Sequence, residues 1–340
     1  MSSRTILITG GAGFIGSNFI PFFLDEHQEI SVVNLDKLTY AGNLNHLVEV
    51  ENNKRYKFIK GDICDASLVR SIFSENRITD VIHFAAESHV DNSIAGPEAF
   101  IQTNVNGTFT LLEAARKSWL DEGNGAKTGF ETSRFHQIST DEVYGSLGES
   151  GFFDENKPYA PNSPYSASKA SSDFLVRSYY HTYGLNVVTS NCSNNYGPKQ
   201  HDEKLIPTII RKALAGEKIP IYGDGKNVRD WLYVQDHCSG INDVFTNGRA
   251  GETYVIGGNN EYNNISIAQK ICGILDDILS KKSGSFTNQI AFVKDRLGHD
   301  FRYAIDATKI KTELGWKPQS DFDSGLQDTV MWYINKYQKV

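Results

Sequence analysis

Short apolar segments rich in β-branched residues alternate with segments of helical periodicity through the first 190 residues. Apolar runs without a polar face are typical of strands buried on both sides, and an intervening helix allows each strand to pair in parallel with another. The pattern therefore predicts an α/β fold, a doubly wound parallel Rossmann sheet. The predicted strands cover 5–9, 31–35, 56–60, 80–84, 135–139 and 186–190, and the predicted helices cover 15–27, 65–76, 97–118 and 164–182.

The alternation weakens after Asn194, where short strands and helices are separated by many Gly and Asn turns. We predict an NAD-binding Rossmann domain over 1–194, to which segments near 228–245 return, and a smaller mixed α/β C-terminal substrate lobe over 195–340. The elements predicted in this part are strands near 219–222 and 253–256 and helices near 204–216, 235–247 and 266–280.

Composition and charge exclude several classes of protein. The net charge of −7 argues against a nucleic-acid-binding surface, and no run of about 18 apolar residues is present to cross a membrane. The four cysteines have no CxxC spacing, so no metal site or disulfide framework is predicted, and a reducing cytoplasm is favoured. The first residues do not have the pattern of a signal peptide.

Glycines at 10, 13 and 16 lie between the first strand and the first helix. Such a loop lets the backbone approach a pyrophosphate, which then binds amide N–H groups at the helix N-terminus. Asp36 at the end of the second strand is placed to bind a ribose diol and to repel a 2′-phosphate, which favours NAD over NADP. The cation of Lys37 beside it is a competing signal. Further cofactor-binding candidates are Phe14, Ile15, Asp62, Ile63, Ala85 and Ala86.

Tyr165 and Lys169 have the spacing that places both side chains on one face of a helix. The ammonium group lowers the pKa of the phenol, which can then take a proton from a substrate hydroxyl. Thr140, Asp141 and Glu142 follow the fifth strand, and two carboxylates beyond a dehydrogenase constellation suggest more steps than one hydride transfer. One carboxyl must then be protonated and its neighbour ionised, and the sequence leaves open which is which; a solvated acidic turn is the alternative.

These motifs together resemble the extended short-chain dehydrogenase/reductase family, and within it the NAD-dependent sugar-nucleotide dehydratases. The resemblance covers nearly the whole chain and includes the segments 10–16, 85–91, 139–145, 165–169, 192–198, 203–207, 222–234 and 298–300. It implies tightly bound NAD and dTDP-glucose as substrate. Tyr165, helped by Lys169 and Thr140, takes the O4 proton during oxidation at C4. Glu142 then acts as base at C5 and Asp141 as acid at the C6 hydroxyl, before hydride returns to C6.

The resemblance also implies a set of substrate-binding residues. Asn195 and Lys204 are expected near the diphosphate, and Ser88 and His89 at the edge of the sugar pocket. The guanidinium of Arg229 can bind phosphate oxygens in a fork. Ser139 is added to the cofactor site together with Tyr165 and Lys169. The other substrate-binding candidates are Thr140, Asn194, Leu205, Tyr222, Asn264, Arg296, His299 and Tyr303.

Alternatives remain at the level of the reaction. A UDP-glucuronate decarboxylase shares Glu142 but has Ser at the position of Asp141, a UDP-galactose 4-epimerase lacks the pair, and a non-catalytic NAD-sensing protein usually loses Tyr165 or Lys169. His201-Asp202 and Leu297 depart from the expected pattern and leave the preferred nucleotide base open. The resemblance further implies a homodimer, through pairing of the helices near 97–118 and 164–182 in a four-helix bundle.

Overall fold

All six strands predicted in the first 190 residues are present in the structure, a computed structural model that describes residues 4–295 and 298–338. The six predicted strands are β1 (Thr5–Thr9), β2 (Ser31–Asp36), β3 (Tyr56–Lys60), β4 (Asp80–His83), β5 (Phe135–Thr140) and β6 (Val187–Cys192). Further strands of the described residues are β7 (Asn194–Tyr196), β8 (Ile219–Tyr222), β9 (Val228–Tyr233), β10 (Thr253–Ile256), β11 (Glu261–Asn263) and β12 (Ile290–Val293).

Eleven α-helices lie in the described part of the chain. They are α1 (Phe14–Glu26), α2 (Ala66–Glu75), α3 (Val90–Ala95), α4 (Glu98–Phe100), α5 (Thr108–Trp119), α6 (Pro164–Tyr183), α7 (Leu205–Leu214), α8 (Val234–Asn247), α9 (Asn264–Ile278), α10 (Thr308–Leu314) and α11 (Phe322–Gln338). A π-helical segment, Ile101–Gly107, joins α4 to α5, so the predicted helix over 97–118 contains a change of helical pitch. None of the described helices is long and apolar enough to span a membrane.

Seven strands form one parallel sheet in the order β10-β6-β5-β4-β1-β2-β3. The predicted doubly wound parallel sheet is therefore confirmed, and β10 from the second half of the chain adds a strand at its edge. On one side of the sheet the strand order runs from β1 to β2 and β3, and on the other side it runs from β4 to β5 and β6. The crevice at the carboxyl ends of β1 and β4, where this direction reverses, is the place at which such sheets bind ligands.

Alternate residues of β1 pack into two apolar cores on opposite faces of the sheet. Ile6 and Ile8 belong to the core shared with α1 and α8, whereas Leu7 belongs to the core shared with α2, α5 and α6. This burial on both faces explains why β1 is apolar without alternation.

A third core lies among α7, α9 and α11 in the C-terminal part of the chain. Two small sheets accompany it, one of β11, β9 and β7 and the other of β12 and β8. Since β7 follows β6 after a single residue, the chain passes directly from the large sheet to this part. That short connection fixes the position of both parts at the crevice.

Candidate active site

The glycine loop after β1 brings the chain very close to the end of β4. Gly10 has φ +70°, and a Cβ atom there would lie 2.6 Å from the backbone nitrogen of Ala85. A Cβ on Gly16 would lie 2.6 Å from the carbonyl oxygen of Gly10. Only glycine fits both positions, and the loop leaves the N-terminus of α1 facing the crevice.

Asp36 at the end of β2 is buried and ties two loops together. One carboxylate oxygen accepts a hydrogen bond from the backbone of Ala12 at 2.9 Å, and the other accepts one from the backbone of Leu38 at 2.8 Å. Lys37 pairs with Asp62 at 2.7 Å, and this hydrogen bond raises the pKa of Lys37. The cation that competed with Asp36 in the choice of cofactor is thus paired with a carboxylate of the protein.

The helix that carries Tyr165 and Lys169 begins at a reciprocal cap. Ser163 accepts a hydrogen bond from the backbone of Ser166 at 3.0 Å, the Ser166 hydroxyl accepts one from the backbone of Ser163, also at 3.0 Å, and Pro164 occupies the first turn. Such a cap fixes where the helix starts. The first two turns of α6 consequently place Tyr165 and Lys169 beside the end of β5.

Tyr165 and Lys169 are both buried. The Lys169 ammonium group donates to the carbonyl of Ile138 on β5 at 2.7 Å, and burial lowers the pKa of Lys169. Burial, assisted by the charge of Glu142, raises the pKa of Tyr165 well above its usual value, whereas a hydrogen bond with Thr140 lowers it. Burial therefore outweighs the groups that favour the phenolate.

The two adjacent carboxyl groups lie in different environments. β5 ends at Thr140, and a short 3-10 turn, Asp141–Tyr144, follows. Asp141 is 2% exposed, and one of its oxygens has no hydrogen-bond partner among the described residues. Burial, then the charges of Glu142 and Asp230, raise the pKa of Asp141 well above its ordinary value. Glu142 is only partly buried. A protonated Asp141 beside a more solvated Glu142 is the division of charge that acid–base catalysis by the pair requires.

The crevice brings together most of the residues that the sequence singled out. All of the predicted cofactor-binding and catalytic residues line it, and so do five predicted substrate-binding residues, of which Thr140 is also catalytic. The cofactor-binding set is Gly10, Gly13, Phe14, Ile15, Gly16, Asp36, Lys37, Asp62, Ile63, Ala85, Ala86, Ser139, Tyr165 and Lys169. The catalytic residues Thr140, Asp141 and Glu142 and the substrate-binding residues Ser88, Asn194, Asn195 and Lys204 complete it.

The substrate-binding candidates of the crevice are held by bonds across it. The Asn195 carboxamide oxygen lies 2.8 Å from a ring nitrogen of His237, and the Lys204 ammonium group donates to the carbonyl of Ser88 at 3.0 Å. His89 does not line the crevice; its ring lies 4.0 Å from the Glu203 carboxylate. Lys204 therefore connects the loop after β4 to the start of α7.

Arg229 and Tyr303 do not line the crevice, but each interacts electrostatically with one of the two carboxyl groups. The Arg229 guanidinium lies 4.2 Å from the centre of the Tyr303 ring and donates to the carbonyl of Asp300 at 2.9 Å. Arg229 acts to lower the pKa of Asp141, and Glu142 acts to raise that of Tyr303, so both candidates are within electrostatic reach of the pair.

The other predicted substrate-binding residues lie in the C-terminal part outside the crevice wall. Leu205 is the first residue of α7, and Asn264 is the first residue of α9. The Tyr222 ring makes an edge contact with His299 at 6.3 Å between centres, and His299 lies 2.6 Å from the Asp295 carboxylate. Arg296 lies outside the described residues.

Sequence reasoning missed a polar anchor in the π-helical segment. The buried Asn104 side chain accepts from the backbone nitrogen of Glu87 at 2.8 Å and donates to its carbonyl at 3.0 Å. It also donates to the hydroxyl of Ser168 on α6 at 2.8 Å. Asn104 thus fixes the loop after β4 to the helix that carries Tyr165. No local pattern in the sequence signals this role, because it depends on a change of helical pitch.

A Rossmann crevice that places a threonine, a tyrosine and a lysine beside the glycine loop defines the class of short-chain dehydrogenase/reductase proteins. The family model described as GDP-mannose 4,6 dehydratase matches residues 7–329. The chain belongs to this family.

The chain is similar to proteins named for a dehydration and, at lower identity, to an epimerase. A dTDP-glucose 4,6-dehydratase of Xanthomonas campestris pv. campestris is 57% identical over 331 residues, which are 97% of this chain and 93% of the relative. The crystal structure of a dTDP-glucose 4,6-dehydratase from Streptomyces venezuelae with NAD and TYD bound is 46% identical with a TM-score of 0.88, covering 99% of this chain and 98% of that one. A UDP-glucose 4-epimerase of Thermotoga maritima with UDP-glucose has a TM-score of 0.85 but only 28% identity, over 98% of this chain and 100% of that one. The fold is common to both reactions, whereas sequence identity is higher for the dehydratases.

Proposed function

We propose that this protein is an NAD-dependent lyase that dehydrates dTDP-glucose to the 4-keto-6-deoxy sugar nucleotide. The observation that carries this function is the buried Asp141 next to the partly exposed Glu142, in the same crevice as Tyr165 and Lys169. An epimerase needs only the last two residues. Named relatives that are 57% and 52% identical over 97% of the chain support the same reaction.

The crevice fits NAD. Gly10 and Gly16 leave space where any Cβ would collide with backbone, and the pyrophosphate would be held at the N-terminus of α1. Asp36 would accept a ribose hydroxyl, and its charge disfavours a 2′-phosphate, while Lys37 is paired with Asp62. Bound there, NAD would supply a reversible hydride acceptor for oxidation at C4 and reduction at C6.

Tyr165 is the base for the sugar O4 proton. Its hydrogen bond with Thr140 favours the phenolate over the phenol, against the effect of burial. We assign the same role to the positive charge of Lys169, one turn further along α6. The resulting 4-ketone makes the hydrogen on C5 acidic. The proton that Tyr165 takes from O4 balances the proton that the leaving hydroxyl receives, and the proton removed from C5 has to be returned to C5 when C6 is reduced.

Elimination of water from C5 and C6 requires a base and an acid. Glu142 is the more solvated carboxyl of the pair, and we assign it as the carboxylate that removes the C5 proton. Asp141 is kept protonated by burial and by its neighbours Glu142 and Asp230, and we assign it as the acid that protonates the leaving C6 hydroxyl. The pair then exchanges protonation states in the course of the reaction.

The nucleotide sugar would extend from the crevice into the C-terminal part, which we propose as a substrate lobe over most of 195–340. Lys204 and Asn195 would meet the diphosphate. Arg229, stacked on Tyr303, carries a charge that favours the same group. The remaining candidates for the nucleotide are His89, Leu205, Tyr222, Asn264, Arg296 and His299.

A homodimer in a reducing cytoplasm completes the proposal. Phe109 on α5 and Phe174 on α6 are 48% and 58% exposed, and Ile101 before α5 is 48% exposed. Exposed apolar side chains on two neighbouring helices are what pairing in a four-helix bundle would cover. All four cysteines are free, which is consistent with a reducing compartment.

The direct test is to incubate the purified protein with dTDP-, UDP- and CDP-glucose and follow the absorbance that alkali induces in a 4-keto sugar. We expect product from dTDP-glucose, with the Tyr165→Phe variant as the inactive control. Conversion of UDP-glucose to UDP-galactose, or release of carbon dioxide from UDP-glucuronate, without dehydration would refute the proposal in favour of a sister reaction. Gel filtration at working concentration tests the dimer.

A further inference from the structure

The most densely hydrogen-bonded carboxylate beside the catalytic residues is that of Asp173, which the reaction does not use directly. Asp173 is 4% exposed on α6. It accepts a hydrogen bond from the Ser139 hydroxyl at 2.6 Å and from the Tyr159 hydroxyl at 3.1 Å. The amide nitrogens of Gln137 and Asn191 each lie 3.4 Å from its oxygens. Four donors from three other parts of the chain thus converge on one buried carboxylate.

This carboxylate lies one helical turn from Lys169 on the same face of α6, since the two residues are four positions apart. Lys169 is 4% exposed, and the charge of Asp173 acts to raise its pKa against the effect of burial. In return the charge of Lys169, together with the donated hydrogen bonds, opposes the rise that burial causes in the pKa of Asp173. Hydrogen bonds donated to a carboxylate favour its ionised form.

Besides Tyr165 and Asp173, two titratable groups in the described part of the chain interact with Lys169, and neither supplies a negative charge. Burial raises the pKa of the Cys192 thiol, which therefore stays protonated at neutral pH. Burial and the Lys169 charge lower the pKa of His83 to about 3, so its ring is neutral. The groups facing Asp173 besides Lys169 are the phenols of Tyr144 and Tyr159, whose pKa values burial raises. Asp173 is thus the described group suited to act as counter-ion of Lys169.

We propose that Asp173 is a positioning residue for the reaction: it is the counter-ion that keeps the buried Lys169 ammonium charged beside Tyr165. The inference rests on the proposed function, because it concerns the base that Tyr165 provides. Without this negative charge, Lys169 loses its proton at lower pH. The phenol of Tyr165 then loses the positive charge that favours its ionisation, and it becomes a weaker acid.

The test is the Asp173→Asn variant, which keeps the shape of the side chain and one acceptor oxygen but removes the charge and replaces the second oxygen by an amide nitrogen. An opposite charge nearby shifts a pKa by about 1–3 units. We therefore expect the alkaline limb of kcat against pH to move down, and the acidic limb to move up, by about one unit each. Turnover at the optimum should fall about tenfold or more, with KM for dTDP-glucose changed little. Asp173→Glu, which restores the charge, should recover part of the width of the profile.

The matched control is Tyr159→Phe, which removes one hydrogen bond to the same carboxylate and leaves its charge. It should lower stability without narrowing the pH profile. A substrate-free readout is NMR of ring-labelled tyrosine, with the Tyr165 signal assigned by Tyr165→Phe. The titration of that signal should move to higher pH in Asp173→Asn.

The outcomes separate the two proposals. Inactivity of the unmodified protein on every sugar nucleotide overturns the proposed function, and the NMR titration still decides the role of Asp173. An active protein whose Asp173→Asn variant melts at lower temperature but keeps the same pH profile and the same Tyr165 titration overturns the counter-ion role. Cofactor content measured after denaturation checks that the variant binds as the unmodified protein does.

Discussion

The Asp141→Asn variant tests the assignment of acid and base most directly. Asparagine is nearly isosteric with aspartate and cannot deliver a proton. Asp141 is 2% exposed and burial raises its pKa, so it is the group suited to give the proton, and bulk solvent has little access to replace it. General acid catalysis contributes about 10²–10⁴ in rate. We expect kcat for release of the 4-keto product to fall by at least about a hundredfold.

The structure also predicts which step survives. Tyr165, Lys169 and Glu142 are unchanged in this variant, so oxidation at C4 and removal of the C5 proton should continue. In deuterium oxide the variant should therefore return dTDP-glucose that carries deuterium at C5. The matched Glu142→Gln variant should lose both the product and the exchange, because it lacks the base.

Two results would refute this reasoning. Near-normal turnover of Asp141→Asn would show that another group protonates the leaving hydroxyl. Loss of C5 exchange in Asp141→Asn with retention in Glu142→Gln would reverse the two assignments. Thermal unfolding of both variants serves as the control for folding, since an asparagine at a buried carboxyl position whose second oxygen is unpaired should be tolerated.

Three further predictions follow from single positions. Gly10→Ala should abolish copurification of NAD, because its Cβ would collide with the backbone of Ala85. The matched control is Gly184→Ala, which has the same φ of +70° but no heavy atom within 4 Å of the new Cβ. This control should lower the free energy of unfolding in urea by only about 1 kcal/mol. Burial lowers the pKa of His237 to about 3 in the folded state, so only the unfolded state takes up a proton between about pH 6.5 and 3. The free energy of unfolding should therefore fall with acidification. Its loss from pH 7 to 5 should be smaller in His237→Gln by about 2 kcal/mol. An equal loss in the two proteins would show that the ring is already charged in the folded state. Asn104→Ala should cost about 2–3 kcal/mol in the same assay, because the partly buried N–H and carbonyl of Glu87 lose their partner. An unchanged unfolding midpoint would contradict the anchoring role.

The fold could be predicted from the sequence because inner strands such as β1 and β2 are buried on both faces. Such strands are largely apolar, so a local pattern finds them without knowledge of their neighbours. The position of β10 could not be predicted in the same way. Its residues, Thr253–Ile256, form a short apolar run like that of β8, yet β10 pairs with β6 in the large sheet and β8 pairs with β12. Which sheet a short strand joins is decided by long-range packing.

Residues of the candidate site could be predicted where they belong to a local sequence motif. They could not be predicted where their role depends on tertiary contacts. The glycine loop and the Tyr165–Lys169 spacing are local patterns, and the structure places them on the same crevice. Asp173 has no such signature. It follows Lys169 on a helix rich in serine, where a carboxylate is ordinarily solvated. Only the convergence of β5, β6 and the loop that holds Tyr159 makes it a buried counter-ion.

The division of roles between Asp141 and Glu142 shows why neighbouring residues of similar chemistry can differ in function. The two carboxyl groups are adjacent in sequence, and their ordinary pKa values are similar. The 3-10 turn that begins after Thr140 directs the first inward, toward Asp230 and Arg229, and leaves the second partly open to the crevice. Burial raises the pKa of Asp141, and the charge of Glu142 adds to that effect. Since the separation of the two protonation states arises from the turn rather than from the residue types, lengthening or reversing the turn should abolish elimination even with both carboxyl groups retained.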